Sequence, residues 1–228
     1  RRMIELIQYL IDLFLHLDEH LSVIIQTYGV WTYALLFLVI FMETGLVVTP
    51  FLPGDSLLFA AGTFASPALA QPGQAPPMNV WLLWFLLMGA AVLGDTANYW
   101  IGHYIGPRAF SGEVRFLKKE YLDRTHEFYE KHGGKTIVLA RFIPIIRTFA
   151  PFVAGVGVMN YGRFLSYNVI GGVLWVTIFT WGGYFFGNLP FVQENFSFVV
   201  LAIILISVLP AVYEVVKERF QPARKAEA

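Results

Sequence analysis

The segment Arg141 to Gly155, RFIPIIRTFAPFVAG, sets two arginines and two prolines in sequence otherwise apolar enough for a bilayer. An arginine at the centre of a membrane helix costs about 2.5 to 3.5 kcal/mol on insertion scales. Pro144 and Pro151 each lack a backbone donor, and lipid supplies no replacement. Such a segment persists only where it is buried in protein or lines a wet cavity. Arg141, Pro144, Arg147 and Pro151 are spaced three, three and four apart. Where the segment is helical, both guanidiniums and the weakened backbone therefore share one face, which is the candidate site.

The surrounding sequence gives that segment its setting. Of 228 residues, 57% are hydrophobic and 14% charged, with charge-free runs at 21–42, 56–94, 164–193 and 195–213. Three of these runs are about one crossing long, and the run 56–94 is long enough for a hairpin plus a crossing. The composition indicates an all-α polytopic membrane protein forming one domain over 1–228. The absence of cysteine excludes disulfide and thiol chemistry, and a formal net charge of zero gives no sign of a nucleic-acid partner.

Residues 1–27 alternate apolar residues with Glu5, Asp12, His16, Asp18, Glu19 and His20, a pattern suited to an interfacial helix. The basic start carries acids and no small-residue cleavage site, so it does not read as a signal peptide. Asp12, His16 and His20 lie four apart, a spacing that a solvated helix face explains better than a metal site; no cofactor is expected. The string ETGLVVTPFLPGDSLLFAAG then places Glu43, Pro50, Pro53, Gly54 and Asp55 close together, the acidic counterpart of the arginine segment. The span from Val80 contains Asp95, either a proton relay or a hydrogen-bonded structural acid near Asn98. Trp81, Trp84, Tyr99, Trp100 and Tyr104 suggest interfacial aromatic belts.

Cation counting orients the chain. Residues 107–135 hold seven Lys or Arg and the tail after Val216 holds four, whereas the loops 63–79 and 188–194 hold none. The positive-inside rule places the connector and both termini in the cytoplasm. That arrangement admits four full crossings, near 28–47, 80–106, 162–187 and 195–216. The stretches 48–66 and 136–158 must then enter and leave on one side each, as re-entrant hairpins.

An internal repeat fits this plan. LLFAAG at 57–62 aligns with APFVAG at 150–155, and the spans that follow end in Gly-x-x-x-Gly at Gly102 and Gly106 and at Gly183 and Gly187. The first repeat is 28–106, the connector 107–135, the second repeat 136–187, and the last span 195–216 precedes the tail 217–228. Because the halves enter from opposite faces they form an inverted pair, which points to a transporter with its site at the repeat interface. On this alignment Arg147 falls opposite Gly54, beside Asp55.

The strings FMETGLVVTPFLPGDSLLFAAG, GDTANYWIG, FYEKHGGKTIVLARFIPIIRTFAPFVAG and YNVIGGVLW strongly resemble the DedA family of bacterial inner-membrane proteins, over about Tyr28 to Glu214. The resemblance implies an inverted-repeat fold with two re-entrant hairpins, shared with eukaryotic lipid scramblases of the VTT-domain class. It implies movement of undecaprenyl phosphate or phospholipid across the inner membrane, with proton coupling for some members. The family's essential acids correspond to Glu43 and Asp55 and its essential arginines to Arg141 and Arg147.

The chemistry of these residues suits that role. Guanidinium is permanently charged and presents a planar fork matched to phosphate oxygens. A carboxylate in a low-dielectric cavity can take a proton and release its arginine, so acids would hold the arginines when the site is empty and phosphate would replace them. The bland alternative is a static salt-bridge cluster joining two hairpins. A proton or small-ion antiporter would use the same four charges. A lipid-phosphate-modifying enzyme would need a nucleophile or metal site, and no His or Cys stands beside these stretches, so the expectation is a carrier and not an enzyme. Which lipid is carried, and whether the chain forms a homo-oligomer, stays open at this level.

Overall fold

The computed structural model describes residues 17–46, 54–70, 75–108, 134–157, 159–203 and 205–206. Its helices are α1 (Leu17–Tyr28), α2 (Trp31–Gly45), α3 (Gly54–Phe64), α4 (Val80–Arg108), α5 (Lys135–Ala140), α6 (Pro144–Val156), α7 (Tyr161–Phe186) and α8 (Pro190–Glu194). A further helical segment covers 196–203. Pro50 and Pro53, Asp12 and His16, and nearly all of the connector lie outside the described residues.

Local chemistry sets several boundaries. Gly29, at φ 53°, makes the left-handed turn between α1 and α2. Asn79 starts α4 by accepting from the amides of Trp81 and Leu82, both at 3.0 Å, while its own amide donates to the Tyr33 hydroxyl at 2.6 Å. The Asn160 side chain caps α7 by accepting from the Arg163 amide. Pro144 opens α6, where a missing N–H costs nothing, and Ile143 before it is extended, as a residue preceding proline prefers. The result is a break at Arg141–Ile143 between α5 and α6, in place of one continuous helix through both arginines.

Length divides the helices into two kinds. At 29 and 26 residues, α4 and α7 are long enough to span about 30 Å of hydrocarbon. Each also contains an apolar window, over Val80–Ile105 and Tyr161–Phe186, less than two-fifths of which is buried. Their outward faces present Trp81, Leu82, Phe85 and Leu93 on α4 and Ile170, Leu174, Ile178 and Phe185 on α7. Apolar faces of this extent suit lipid contact. By contrast α3, with 11 residues, and α6, with 13, reach only about 16 to 20 Å, too short to cross. Gly54 to Thr63 of α3 is buried throughout, so this short helix is enclosed by protein.

Packing joins each short helix to a long one. α3 lies on α7 and α6 lies on α4, while α4 also packs against α2 and α7. The close approaches are made by glycine. A Cβ on Gly62 would overlap the Thr180 carbonyl, and one on Gly183 would overlap that of Phe59. In the other pair, a Cβ on Gly155 would overlap the Tyr99 carbonyl and one on Gly102 that of Phe152. Lipid provides no hydrophobic drive to bring helices together, so backbone proximity of this kind is a main source of helix association in a membrane. The larger core, with Leu36, Ile40, Leu58, Leu83, Leu87, Trp175 and Val176, fills the space among α2, α3, α4 and α7.

Candidate functional site

A buried charged cluster sits where α3 and α6 begin. Arg147, in the first turns of α6, donates through Nη1 to Asp55 Oδ1 at 2.6 Å and through Nη2 to Glu43 Oε1. Glu43 comes from the last turn of α2 and is wholly buried, and Asp55 belongs to the first turn of α3. Glu43 Oε1 also accepts from the Gly54 amide, the first of α3, at 3.2 Å. A Cβ at that position would collide with the Glu43 carboxylate where it now sits. The amino end of α3 thus holds two carboxylates, as the positive end of a helix dipole favours.

Arg141 forms a second set. It caps α5 and donates through Nη2 to Asp95 of α4 and to Asn168 Oδ1 of α7, the latter at 2.6 Å. Asn168 Nδ2 in turn donates to the Val92 carbonyl at 3.0 Å, tying α7 to α4. Gly171 and Gly172 lie against the guanidinium, where Cβ atoms would stand 3.4 Å from Nε and Nη1, at contact distance. Trp175, one turn further along α7, lies beside both sets. Its ring centre is 5.2 Å from the Arg147 guanidinium and 5.8 Å from that of Arg141, and its Nε1 donates to Asp55 Oδ1 at 2.7 Å. Asn98 of α4 completes the frame, donating through Nδ2 to the carbonyls of Thr44 at 3.1 Å and Thr148 at 2.7 Å.

Several buried polar atoms of these residues have no protein partner among the described residues: Glu43 Oε2, Arg147 Nε, and Arg141 Nε and Nη1. Buried donors and acceptors are normally satisfied, so unused capacity of this kind marks a place for water or ligand. In both arginines an outer nitrogen that a phosphate would grip is occupied by carboxylate, and a bidentate phosphate would have to displace it. With the acids ionised, three carboxylates face two guanidiniums. Among the described residues no group of His, Cys, Asp or Glu is placed to hold a metal ion.

The arginine and acid expectations meet in this cluster, with a different pairing from a simple meeting of two hairpin tips. Glu43 and Asp55 both serve Arg147, whereas Arg141 turns to Asp95, whose partner is this arginine and not Asn98. Pro144 and Pro151 lie at the start of and within α6, and Gly155 makes the crossing with α4. Tyr99, expected in an aromatic belt, is buried and donates its hydroxyl to the Met159 carbonyl. Asn168 and Trp175 were not singled out by the sequence. Their signal is positional: Asn168, Gly171, Gly172 and Trp175 follow helical spacing on one face of α7, in its charge-free stretch after Arg163.

A VTT-domain family model matches residues 52–185. Protein DedA of Escherichia coli K12 is 53% identical over 224 residues, 98% of this chain and 100% of that one. The chain belongs to the DedA family. An uncharacterized membrane protein of Mycobacterium tuberculosis is 47% identical over 175 residues, 76% of this chain and 74% of that protein. Inner membrane protein YqjA of Escherichia coli is 36% identical over 159 residues, 69% of each chain. No solved structure matches significantly. The chain is therefore a DedA-family membrane protein.

Proposed function

We propose that the chain carries phosphate-bearing lipids, undecaprenyl phosphate or a phospholipid, across the bacterial inner membrane, with their movement coupled to a proton. The observation behind this reading is the convergence of two short helices on one buried cluster. α3 and α6 both start there, so the positive ends of two helix dipoles and two guanidiniums address a single small volume. Such a place favours an anion, and Glu43, Asp55 and Asp95 supply the negative charge from within the protein.

Exchange is the natural step. A lipid phosphate that grips Arg147 releases Glu43 or Asp55, and the freed carboxylate, still out of water, takes a proton. The cycle places Arg141 and Arg147 on the phosphate, Glu43 and Asp55 on the proton, and Asp95 as keeper of Arg141. The matching glycine crossings, Gly62 with Gly183 and Gly155 with Gly102, fall at equivalent positions of the two halves and support the inverted-repeat reading with re-entrant hairpins. In that reading both termini are cytoplasmic and the chain is a carrier, not an enzyme.

The excess of one carboxylate over guanidinium favours a second reading, a proton or small-ion antiporter without lipid substrate. Proteoliposomes separate the two. Labelled undecaprenyl phosphate and labelled phosphatidylethanolamine are followed across the bilayer with and without a pH gradient. Gradient-dependent movement of either lipid is expected, and proton flux without lipid movement would leave only the antiporter.

A further inference from the structure

Trp175 is wholly buried in the middle of α7, and its position is unusual for a core aromatic. An indole has a single hydrogen-bond donor, and here it is spent on Asp55 Oδ1, the same oxygen that accepts from Arg147. The ring lies against both guanidiniums, within the range at which a cation and an aromatic face attract. One turn earlier, Gly171 and Gly172 of the same helix lie against the Arg141 guanidinium. α7 therefore presents the two arginines with a flat platform and Asp55 with a donor that does not depend on either arginine.

We infer that Trp175 is a positioning residue for the exchange of carboxylate by phosphate, an inference that rests on the lipid-phosphate reading. When phosphate takes the Arg147 fork, Asp55 loses that partner but keeps the Trp175 N–H. The acid stays where it can recapture the arginine. Meanwhile the ring holds both guanidinium planes in place, so the fork remains aimed while its partner changes. The N–H acts on release and recapture, the turnover step, and the ring acts on recognition.

Two substitutions separate these roles. Trp175→Phe keeps an aromatic face and removes the N–H, and Trp175→Leu removes both. Initial rates of labelled undecaprenyl phosphate movement against lipid concentration, per folded full-length protein, give kcat and apparent KM. Loss of a charge-assisted hydrogen bond should lower kcat of Trp175→Phe about tenfold with apparent KM nearly unchanged. Trp175→Leu should in addition raise apparent KM. The effect of Trp175→Phe should disappear in an Asp55→Ala background, where no side-chain oxygen remains to accept the N–H. Wild-type kinetics in Trp175→Phe, or an undiminished effect in that background, overturns the inference, as does a loss that vanishes once rates are expressed per folded protein. If the wild-type protein moves neither undecaprenyl phosphate nor phosphatidylethanolamine, the transport reading fails separately. The inference is then judged by the Trp175 share of tryptophan emission, wild type minus Trp175→Phe. That share must change on Asp55→Ala and on Arg147→Lys, and constancy in either overturns it.

Discussion

Arg147 and Asp55 meet at 2.6 Å, each from the opening turns of a short helix, so the basic segment and the acidic one are joined at their amino ends. The same guanidinium reaches Glu43 through its other terminal nitrogen. One planar group thus holds two acids from two different helices, a geometry available to arginine and not to lysine.

Arg147→Lys keeps a positive charge and loses the fork. Transport of labelled lipid phosphate should fall by about two orders of magnitude, since a point charge cannot hold two phosphate oxygens and release two acids in one plane. Membrane expression should persist, because one cation still neutralises the acids. Full transport by the lysine variant in sealed vesicles would show that planar recognition is the wrong account.

The glycine crossings make a stability prediction. Gly183→Val and Gly102→Val each place side-chain carbon against a backbone carbonyl that cannot withdraw, at Phe59 and Phe152 respectively. Overpacking of this kind costs about 1 to 3 kcal/mol or more. Gly89, also in α4, faces open space: a Cβ added there would have nothing within 4 Å. Gly89→Ala should therefore be neutral or gain up to about 1 kcal/mol from helix propensity. Thermal unfolding in detergent, followed by the loss of the monodisperse peak, should place both valine variants below wild type and Gly89→Ala at or above it.

Asn98 supplies a second test of the frame. Its amide nitrogen serves carbonyls on α2 and α6, at Thr44 and Thr148. Asn98→Leu removes the donor to both carbonyls, at a cost of about 0.5 to 1.5 kcal/mol for each hydrogen bond. Asn98→Asp should be worse, since it replaces the donor with an acid facing two carbonyls. Thermal stability of both variants against wild type checks the order.

The five charged residues that meet in the cluster stand out in the sequence because charge inside apolar sequence has few inexpensive explanations. Helix starts and crossings are legible for a related reason: Pro144 opens a helix and Gly102 and Gly183 mark close approaches, whereas Pro151 lies within α6 without ending it. Partner choice is not legible. Glu43 and Asp95 are both acids near arginines, and only the break at Arg141–Ile143 turns one guanidinium toward α4 and the other toward α2 and α3. Trp175 and Asn168 escape because a tryptophan or asparagine in an apolar span fits a belt, a core or a site equally well. Tyr99 shows the converse, an aromatic whose sequence context suggests a belt and whose burial removes it from one.

Orientation rests on the cation count alone and can be tested directly in a chain without cysteine. Single cysteines at residues 72 and 120 should react from opposite sides with an impermeant thiol reagent, residue 72 from outside and residue 120 only after the membrane is opened. Labelling of residue 120 from outside would reverse the topology.

Glu43→Gln and Asp55→Asn decide between a proton-linked carrier and a static cluster. Both substitutions imitate a protonated acid, and both leave Arg147 one carboxylate partner. In a carrier, the released fork remains available, so lipid phosphate should still bind. Transport should lose its dependence on a pH gradient, since the group that takes the proton is gone. In a static cluster, removing one member of a buried charge network destabilises by about 3 to 5 kcal/mol, and binding and transport fall together with thermal stability. The two outcomes differ in sign for binding, so one preparation of each variant suffices. Thermal stability, binding of labelled undecaprenyl phosphate and gradient-driven transport are measured on the same sample. Variants that keep full gradient-dependent transport would count against both accounts and move the proton-linked step to Asp95, the remaining carboxylate of the cluster.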